Sequence, residues 1–334
     1  MMTTMALVRN VVTAGVTAFV LAFSQMDANP SLFVHDALLV NDHLRDQCFR
    51  GKTMWITGAS SGIGAELALQ LSQHGVHLIL SARSSDKLQG VANECQRRAQ
   101  ETGCGGSVAI VPADLSAPIP DLEATIDKVL TAASQVIGKE DENGYLDFVV
   151  LNAGVGQLRP SSLTKHDVTE QIFQVNTLAP IALTQILLER GVLRQDKGKH
   201  LVVTSSVAAK MGVPLSASYA ASKHALHGYY NSLKAELPWL RVDLICPGST
   251  DTDFHQSNVG GSGQTVTNNN EDIPKAKKSL KMSTSRCCSL LISSMTMRNK
   301  QGGEYWIAEH PVLFGLYINQ LFPGLFQQAL AKIG

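Results

Sequence analysis

The sequence predicts an α/β fold, with one doubly wound parallel sheet of about seven strands flanked by helices on both faces. Two observations predict it. From Lys52 onward, short and nearly continuous apolar runs alternate with longer stretches of helical periodicity, which is typical of parallel strands joined by covering helices. The turn after the first apolar run is also rich in glycine and leads directly into a helix. A chain of 334 residues is long enough for one such domain.

The apolar runs are the expected strands. They are short and bounded by turn-forming residues, as buried parallel strands are. In chain order they are Thr53–Thr57, Val76–Ala82, Ser107–Pro112, Leu146–Leu151, His200–Ser205, Arg241–Ile245 and Glu304–Ala308. Apolar residues at helical spacing between them predict helices over Ala65–His74, Lys87–Thr102, Leu122–Ile137, Val168–Glu189 and Tyr219–Leu237.

Composition excludes several classes of protein. The 28 Lys and Arg residues balance the 28 Asp and Glu residues, so the chain lacks the positive charge that a nucleic-acid partner requires. A hydrophobic content of 44% is too high for a disordered chain. The six cysteines show no metal-type spacing, which predicts mostly reduced thiols and no metal site. A redox role for the adjacent Cys287 and Cys288 is the less favoured interpretation.

Both ends of the chain are apolar. Met5–Phe23 contains one charge, Arg9, and we interpret it as a membrane anchor, with a cleaved signal peptide and an amphipathic surface helix as alternatives. The apolar carboxyl-terminal segment is explained either by core packing or by a membrane-lying segment at the substrate entrance, and we favour the latter. The predicted organisation is an anchor or signal segment (1–30), a connector (31–50), a catalytic domain (51–310) and the terminal segment (311–334), with Asn29-Pro30 as a breaker just before residue 31.

A glycine-rich loop lies between the first predicted strand and the first predicted helix. Gly58 permits a tight turn, Gly62 lets the backbone approach a pyrophosphate, and Gly64 allows close packing of helix on strand. The N-terminus of the helix then offers free N–H groups to phosphates. The predicted phosphate loop consists of Gly58, Ser60, Ser61, Gly62, Ile63 and Gly64.

The residue that follows the second strand selects the dinucleotide. An acidic side chain there would accept a hydrogen bond from the free ribose hydroxyl of NAD. The sequence instead has Arg83, whose guanidinium would attract a 2′-phosphate. We therefore predict NADP(H) as the cofactor.

Three polar side chains form a candidate catalytic group. Tyr219 and Lys223 are four residues apart on a predicted helix, hence on one face. Ser206 follows the fifth predicted strand, and ligands of open α/β sheets bind at the carboxyl ends of strands. A lysine cation near the phenol would lower the pKa of Tyr219, as acid–base catalysis on an alcohol or carbonyl requires.

Together these motifs resemble the classical short-chain dehydrogenase/reductase family over about residues 50–255. The resemblance implies a Rossmann-type fold and direct hydride transfer. It implies Tyr219 as general acid/base, Ser206 positioning the substrate oxygen, and Lys223 holding the nicotinamide ribose while tuning Tyr219. Asn176 would hold a water in the proton relay. The motifs are the TGASSGIG loop, Asp114-Leu115, the Leu151–Gly154 turn, Asn176, Ser206, Tyr219, Lys223 and Pro247-Gly248.

The resemblance also implies cofactor contacts beyond the glycine loop. Asp114 would meet the adenine, Asn152 would stabilise the sheet centre, and Thr252 would touch the carboxamide. The remaining expected cofactor-binding residues are Leu115, Ala153, Gly154, Tyr219, Lys223, Pro247, Gly248 and Thr250.

Four segments resemble one branch of that family: Ser222–Leu226, Leu244–Gly248, Met282–Cys287 and Tyr305–Glu309. The branch implies membrane association, here placed at the endoplasmic reticulum, and lipophilic substrates such as steroids, retinoids or other lipid-like carbonyls. Thr250 departs from the apolar residue usual in the wider family. The Gly- and Asn-rich stretch Ser257–Asp272 is interpreted as part of a mobile lid over the site (254–275), with a disordered surface insertion as the alternative.

Two other functions are weighed against this interpretation. A catalytically silent dinucleotide-binding sensor or scaffold could have the same fold, although the intact Ser206, Tyr219 and Lys223 set disfavours it. A sugar-nucleotide epimerase would need a larger substrate domain than the residues after Pro247 provide. The helices around Val168–Glu189 and Tyr219–Leu237 are compatible with a homodimer face, and a monomer is equally compatible.

Overall fold

The computed structural model describes residues 23–138, 146–195, 198–254 and 281–331. Its centre is a seven-stranded sheet in the order β3-β2-β1-β4-β5-β6-β7, and every neighbouring pair is parallel. All seven predicted strands and the predicted fold class are confirmed. The strands are β1 (Thr53–Thr57), β2 (His77–Ser81), β3 (Val108–Ile110), β4 (Phe148–Leu151), β5 (His200–Thr204), β6 (Arg241–Pro247) and β7 (Glu304–Ile307).

Helices cover both faces of the sheet. The helices among the described residues are α1 (Pro30–Leu39), α2 (Asp42–Phe49), α3 (Gly62–Leu71), α4 (Ser85–Thr102), α5 (Ile119–Ile137), α6 (His166–Phe173), α7 (Ala179–Glu189), α8 (Ala217–Glu236), α9 (Thr284–Thr296), α10 (Val312–Leu321) and α11 (Pro323–Ala331).

Alternation along the strands creates two cores. In β1, Met54 and Ile56 pack into the cluster that contains α3, α4 and α9. Trp55, between them, packs into the cluster that contains α5, α7 and α8. Successive side chains of a strand point to opposite faces, so the apolar run of β1 fills both cores. All five residues of β1 are buried, as the near-continuous apolar pattern predicted.

The strand order reverses between β1 and β4. The chain moves outward from β1 to β3, then returns to β4 on the other side of β1. Crossover loops therefore diverge at the carboxyl ends of β1 and β4 and leave a crevice, which is where open α/β sheets bind ligands.

The segment predicted as a connector, residues 31–50, folds into the two helices α1 and α2. Pro30 stands at the start of α1, where a proline costs nothing because the first N–H has no partner in the helix. Leu32 and Phe49 are fully buried in the main core. Arg286 of α9 binds Asp27 and Asp36 at 2.7 Å each. This segment is therefore part of the domain.

The cysteines are all free, as the sequence predicts. Cys287 and Cys288 lie on α9 in the core, and burial raises the pKa of Cys287 to about 12 and raises that of Cys288 as well. A buried thiol with a raised pKa is a poor nucleophile, so the structure gives the redox interpretation no support.

Two predicted segments fall mainly outside the described residues. Of Met5–Phe23 the structure describes only Phe23, and of the predicted lid only Phe254. Within the described part of the chain, the stretch His166–Glu189 is long and apolar enough to cross a membrane. Ile172, Leu183 and Leu187 of that stretch are nonetheless buried in the protein interior, so it acts as a core helix of the domain.

Candidate active site

The glycine loop joins β1 to α3 at the crevice. Gly58 has a φ of +67° and Gly62 one of +56°, a region that side chains disfavour. A Cβ on Gly58 would lie 2.7 Å from Cα of Ala153, and one on Gly64 would lie 2.3 Å from the carbonyl oxygen of Gly58. Because no side chain fits at these positions, the backbone of the loop stays accessible at the N-terminus of α3. A phosphate can meet free backbone N–H groups there.

Asn152 joins the ends of β1 and β4. Its amide Nδ2 donates to the carbonyl of Thr57 at 3.2 Å. The backbone N–H groups of Asn152 and Ala153 donate to the Thr57 hydroxyl at 2.9 and 3.1 Å. These bonds hold the two diverging loops together beside the glycine loop.

Arg83 and Asp114 lie at the ends of neighbouring strands. Arg83 follows β2, is exposed, and lines the cleft. Asp114 follows β3 and accepts hydrogen bonds from the backbone and the hydroxyl of Ser116. Residues 82–84, directly after β2, carry no carboxylate, and the only charge among them is the Arg83 guanidinium.

The cleft has a volume of about 490 Å³. It brings together most of the residues that the sequence singled out. Two are exceptions: Gly64 lies beneath the loop, and Asn176 lies behind the wall of the cleft. The predicted residues that line it are Gly58, Ser60, Ser61, Gly62, Ile63, Arg83, Asp114, Leu115, Asn152, Ala153, Gly154, Ser206, Tyr219, Lys223, Pro247, Gly248, Thr250 and Thr252.

Ser206, Tyr219 and Lys223 converge at the carboxyl end of β5. The Ser206 hydroxyl accepts from the N–H of Ala208 at 3.1 Å, which fixes the side chain at the start of a short helical turn. Tyr219 and Lys223 project from the first turns of α8. Nζ of Lys223 lies 5.9 Å from the centre of the Tyr219 ring and donates to the carbonyl of Thr204 at 2.9 Å.

The predicted lowering of the Tyr219 pKa is wrong for this structure. Burial raises the pKa of Tyr219, and its hydrogen bond with Ser206 only partly opposes this. Burial also lowers the pKa of Lys223 to about 8. Desolvation disfavours the charged form of each group, and here it outweighs the attraction that the spacing suggested. At neutral pH, Tyr219 therefore carries its proton and Lys223 is mainly a cation.

Asn176 occupies a π-helical turn, Gln174–Leu178, that interrupts the predicted helix Val168–Glu189. Its Oδ1 accepts from the N–H of Val155 at 2.8 Å, and its Nδ2 donates to the carbonyl of Val155 and to the hydroxyl of Ser222. Such turns are frequent at functional sites. Asn176 thus fastens the loop after β4 to α8.

Gln157 is a site residue that the sequence analysis missed. It lines the cleft, and its Oε1 accepts from the N–H groups of Ser218 and Tyr219 at 2.8 and 3.2 Å. The side chain therefore caps the first turn of α8, which carries Tyr219. No local motif signals this role, because Gln157 and Tyr219 meet only in the fold.

A sequence comparison identifies the family. The pattern described as short chain dehydrogenase matches residues 52–261, which is more than half of the chain. The chain belongs to the short-chain dehydrogenase family. It is therefore an oxidoreductase of the dehydrogenase/reductase type, built on the fold that binds nicotinamide dinucleotides.

Curated relatives place this dehydrogenase more narrowly. It is 36% identical over 273 residues to dehydrogenase/reductase SDR family member 7 of Homo sapiens, covering 81% of this chain and 74% of that protein. It is also 36% identical over 284 residues to the Mus musculus protein of the same name, covering 84% and 77%. The branch that the sequence resembles is thereby confirmed.

Solved structures show the same fold. An alcohol dehydrogenase from Thermococcus sibiricus complexed with 5-hydroxy-NADP aligns with a TM-score of 0.62 at 24% identity, covering 78% of this chain and 97% of that one. A short-chain dehydrogenase/reductase from Burkholderia phymatum in complex with NAD aligns with a TM-score of 0.65 at 22% identity, covering 83% and 95%.

Proposed function

We propose that this protein is an NADP(H)-dependent oxidoreductase that interconverts a carbonyl and a secondary alcohol on a lipophilic molecule. One observation carries the proposal. Ser206, Tyr219 and Lys223 share a single cleft with the glycine loop, so a proton donor and a dinucleotide site face the same space. NADP(H), when bound, supplies or accepts the hydride at the substrate carbon.

The chain's own residues fit the dinucleotide. Gly58 and Gly64 approach neighbouring backbone too closely to carry a side chain. The loop backbone is therefore accessible, as the binding of a pyrophosphate requires. Arg83, which follows β2, suits a 2′-phosphate, and neither of its chain neighbours, Ala82 and Ser84, carries a carboxylate that would repel one. Lys223, a buried cation in the cleft, would hold the nicotinamide ribose.

The proton step belongs to Tyr219. In the reductive direction its hydroxyl gives the proton to the substrate oxygen, while the Ser206 hydroxyl positions that oxygen. A phenol is protonated at neutral pH even at its ordinary pKa of about 10, and burial raises the pKa of Tyr219 further. The hydroxyl is therefore available as a general acid. The positive charge of Lys223 stabilises the phenolate that forms as the proton leaves.

The substrate end of the cleft supports a lipophilic molecule. The cleft has several apolar lining residues besides its polar groups, and the Phe254 ring lies 5.9 Å from the Tyr219 ring. Apolar pockets with a few polar groups select substrates by shape and burial. A screen of steroid, retinoid and other lipid-like carbonyls against small polar ones, followed by NADPH oxidation, tests this. The apolar wall residues are Val155, Leu158, Val175, Val207, Val213 and Pro214.

The same proposal includes location and assembly. We place the enzyme at a membrane, that of the endoplasmic reticulum, because of the apolar stretch Met5–Phe23. Fractionation and imaging of the full chain in cells test this placement. A homodimer remains a proposal that sedimentation of the full chain tests.

Arg83→Glu should reverse the choice of dinucleotide. The substitution removes a charge-assisted bond to the 2′-phosphate, worth about 1.5–3 kcal/mol, and adds a carboxylate that repels it. We expect NADPH to bind about 10- to 100-fold more weakly and NADH to bind unchanged or more tightly. Titration of both nucleotides measures the effect. Arg298→Glu, at another exposed arginine, is the control, and an unchanged NADPH affinity in Arg83→Glu contradicts NADP specificity.

Carbonyl reduction should weaken above about pH 8. Burial lowers the pKa of Lys223 to about 8, so its positive charge is present below that pH and is lost as pH rises through it. We expect kcat/KM to fall about tenfold per pH unit above the break. Stopped-flow measurement of NADPH oxidation from pH 6 to 10 gives the profile. A rate that stays flat to pH 10 would exclude the charge of Lys223 from the rate-limiting step.

A further inference from the structure

We propose that the carboxyl-terminal helices α10 and α11 dock on the surface of a lipid bilayer, beside the entrance of the cleft. The docking surface, called here the terminal apolar face, consists of Phe314, Leu321, Phe322 and Leu325. Docking stands on its own observations, whereas the delivery of substrate from the bilayer rests on the proposed function.

The terminal apolar face is exposed and uncharged. Leu321 is 69% exposed, Leu325 64%, Phe322 53% and Phe314 52%. Residues 311–331 contain no charged side chain. The four residues lie on α10, at the break after it and on α11. Soluble monomers rarely expose large apolar patches, and exposed aromatic and aliphatic side chains are what an interfacial segment buries at the boundary between headgroups and acyl chains.

The exposure does not arise from loose helices. Leu313 and Leu316 of α10 are fully buried against Val207 and Trp306. The ring of Phe326 on α11 approaches Gly315 of α10 so closely that a Cβ there would lie 3.1 Å from it. The opposite side of α10 is thus firmly packed, and the terminal apolar face is held outward.

The amino-terminal apolar stretch ends at this face. The Phe23 ring packs edge-on against His310, Phe314 and Tyr317, with ring centres 5.1, 6.5 and 5.6 Å away. The carbonyl of Phe23 also accepts a hydrogen bond from Nε2 of His310 at 2.8 Å. Phe23, beside Phe314, is the last residue of a sequence stretch (residues 10–23) that contains no charge. An uncharged apolar stretch of the chain thus leads directly to this face, which supports lipid as its occupant.

One loop separates the terminal apolar face from the cleft. The loop 207–214 lines the cleft with Val207, Ala208, Val213 and Pro214. The same loop contacts α10 on the side away from the cleft. The carbonyl of Lys210 accepts from Nδ2 of Asn319 at 2.6 Å, and Val207 belongs to the same apolar cluster as Leu313 and Leu316. A lipophilic molecule dissolved in the bilayer would thus reach the cleft across this loop.

The side chain of Lys210 is held by an ion pair with β7. Its Nζ lies 3.1 Å from Glu304 of β7, which also binds His227 and Trp306. Burial opposes ionisation of Glu304, but hydrogen bonds from His227 and Trp306 outweigh it and lower the pKa of Glu304 to about 2. The loop is therefore anchored to the sheet by a carboxylate that stays charged at physiological pH.

The test places a fluorescent probe on the terminal apolar face of the full chain. Leu325→Cys, labelled with an environment-sensitive dye, is reconstituted into phosphatidylcholine–phosphatidylserine vesicles with and without nitroxide-labelled acyl chains. We expect a blue shift and strong quenching by the nitroxide lipid. The control is Glu123→Cys on α5, an exposed position on a helix that contacts β2 and β3, at the other edge of the sheet from β7. It should show neither effect.

A second variant separates docking from folding and from catalysis. Leu321→Glu combined with Leu325→Glu, probed at Phe322→Cys, should lose the quenching while its far-ultraviolet circular dichroism is unchanged. Its KM for a vesicle-dissolved carbonyl should rise about tenfold, with KM for a water-soluble carbonyl unchanged.

Other outcomes overturn the proposal. Equal probe environments at positions 325 and 123 exclude lipid docking. A blue shift without lipid that depends on protein concentration assigns the face to a second copy of the chain. Quenching without turnover of any carbonyl would leave docking intact and refute the proposed function instead.

Discussion

Replacing Tyr219 by Phe should lower kcat for carbonyl reduction by about 10²- to 10⁴-fold, the usual contribution of a general acid. The substitution removes only the hydroxyl, and the ring keeps its packing near Phe254. NADPH affinity should change by less than about tenfold, because at most one neutral hydrogen bond is lost. Single-turnover NADPH oxidation and nucleotide titration measure the two quantities separately.

Tyr229→Phe provides the matched control. Tyr229 lies on the same helix as Tyr219, half-buried, with its ring edge-on to Tyr230 at 5.0 Å. We expect near wild-type turnover from it. If Tyr219→Phe turns over NADPH like the control, Tyr219 is not the proton donor. If neither the wild type nor the variants reduce any carbonyl while both bind NADPH, the protein acts as a sensor or scaffold.

Gly64→Ala should abolish nucleotide binding and destabilise the domain. The new Cβ would lie 2.3 Å from the carbonyl oxygen of Gly58 and 2.6 Å from Nδ2 of Asn152. Both neighbours belong to the loops that frame the cleft, so relief of the clash must move backbone. We expect a loss at the upper end of the about 1–3 kcal/mol that overpacking costs, seen as a lower Tm without ligand, and no stabilisation by NADPH.

Gly90→Ala is the control for the helical context. Gly90 lies within α4 with nothing within 4 Å of its added Cβ. Alanine is the better helix former by about 1 kcal/mol, so this variant should be as stable as wild type or more so. A Gly64→Ala protein that binds NADPH normally would contradict the close packing of α3 on β1.

The strands were predictable because burial on both faces leaves a direct trace in the sequence. β1 matches its predicted bounds, and β5 and β7 differ by one residue at the carboxyl end. The helices α1 and α2 were not predicted. Their burial depends on α9, more than two hundred residues away. No local pattern can report a contact of that sequence separation.

The candidate site was also predictable only where it depends on local spacing along the chain. Spacing along the chain was enough to place Tyr219 and Lys223 on one helical face and the glycines before α3. Spacing could not give the pKa of Tyr219, because that depends on how completely the fold removes water from the phenol. It also could not reveal Gln157, which meets Tyr219 across a loop.

The sequence by itself determined the fold class, the family and the candidate catalytic residues, because periodicity and motif spacing are local properties of the chain. The tertiary structure decided what surrounds those residues. It raised the pKa of Tyr219 through burial, packed residues 31–50 onto the core, and set an uncharged helical face beside the cleft. Burial, close approach and exposure arise only when distant segments pack together, and they can therefore be read only from the folded chain.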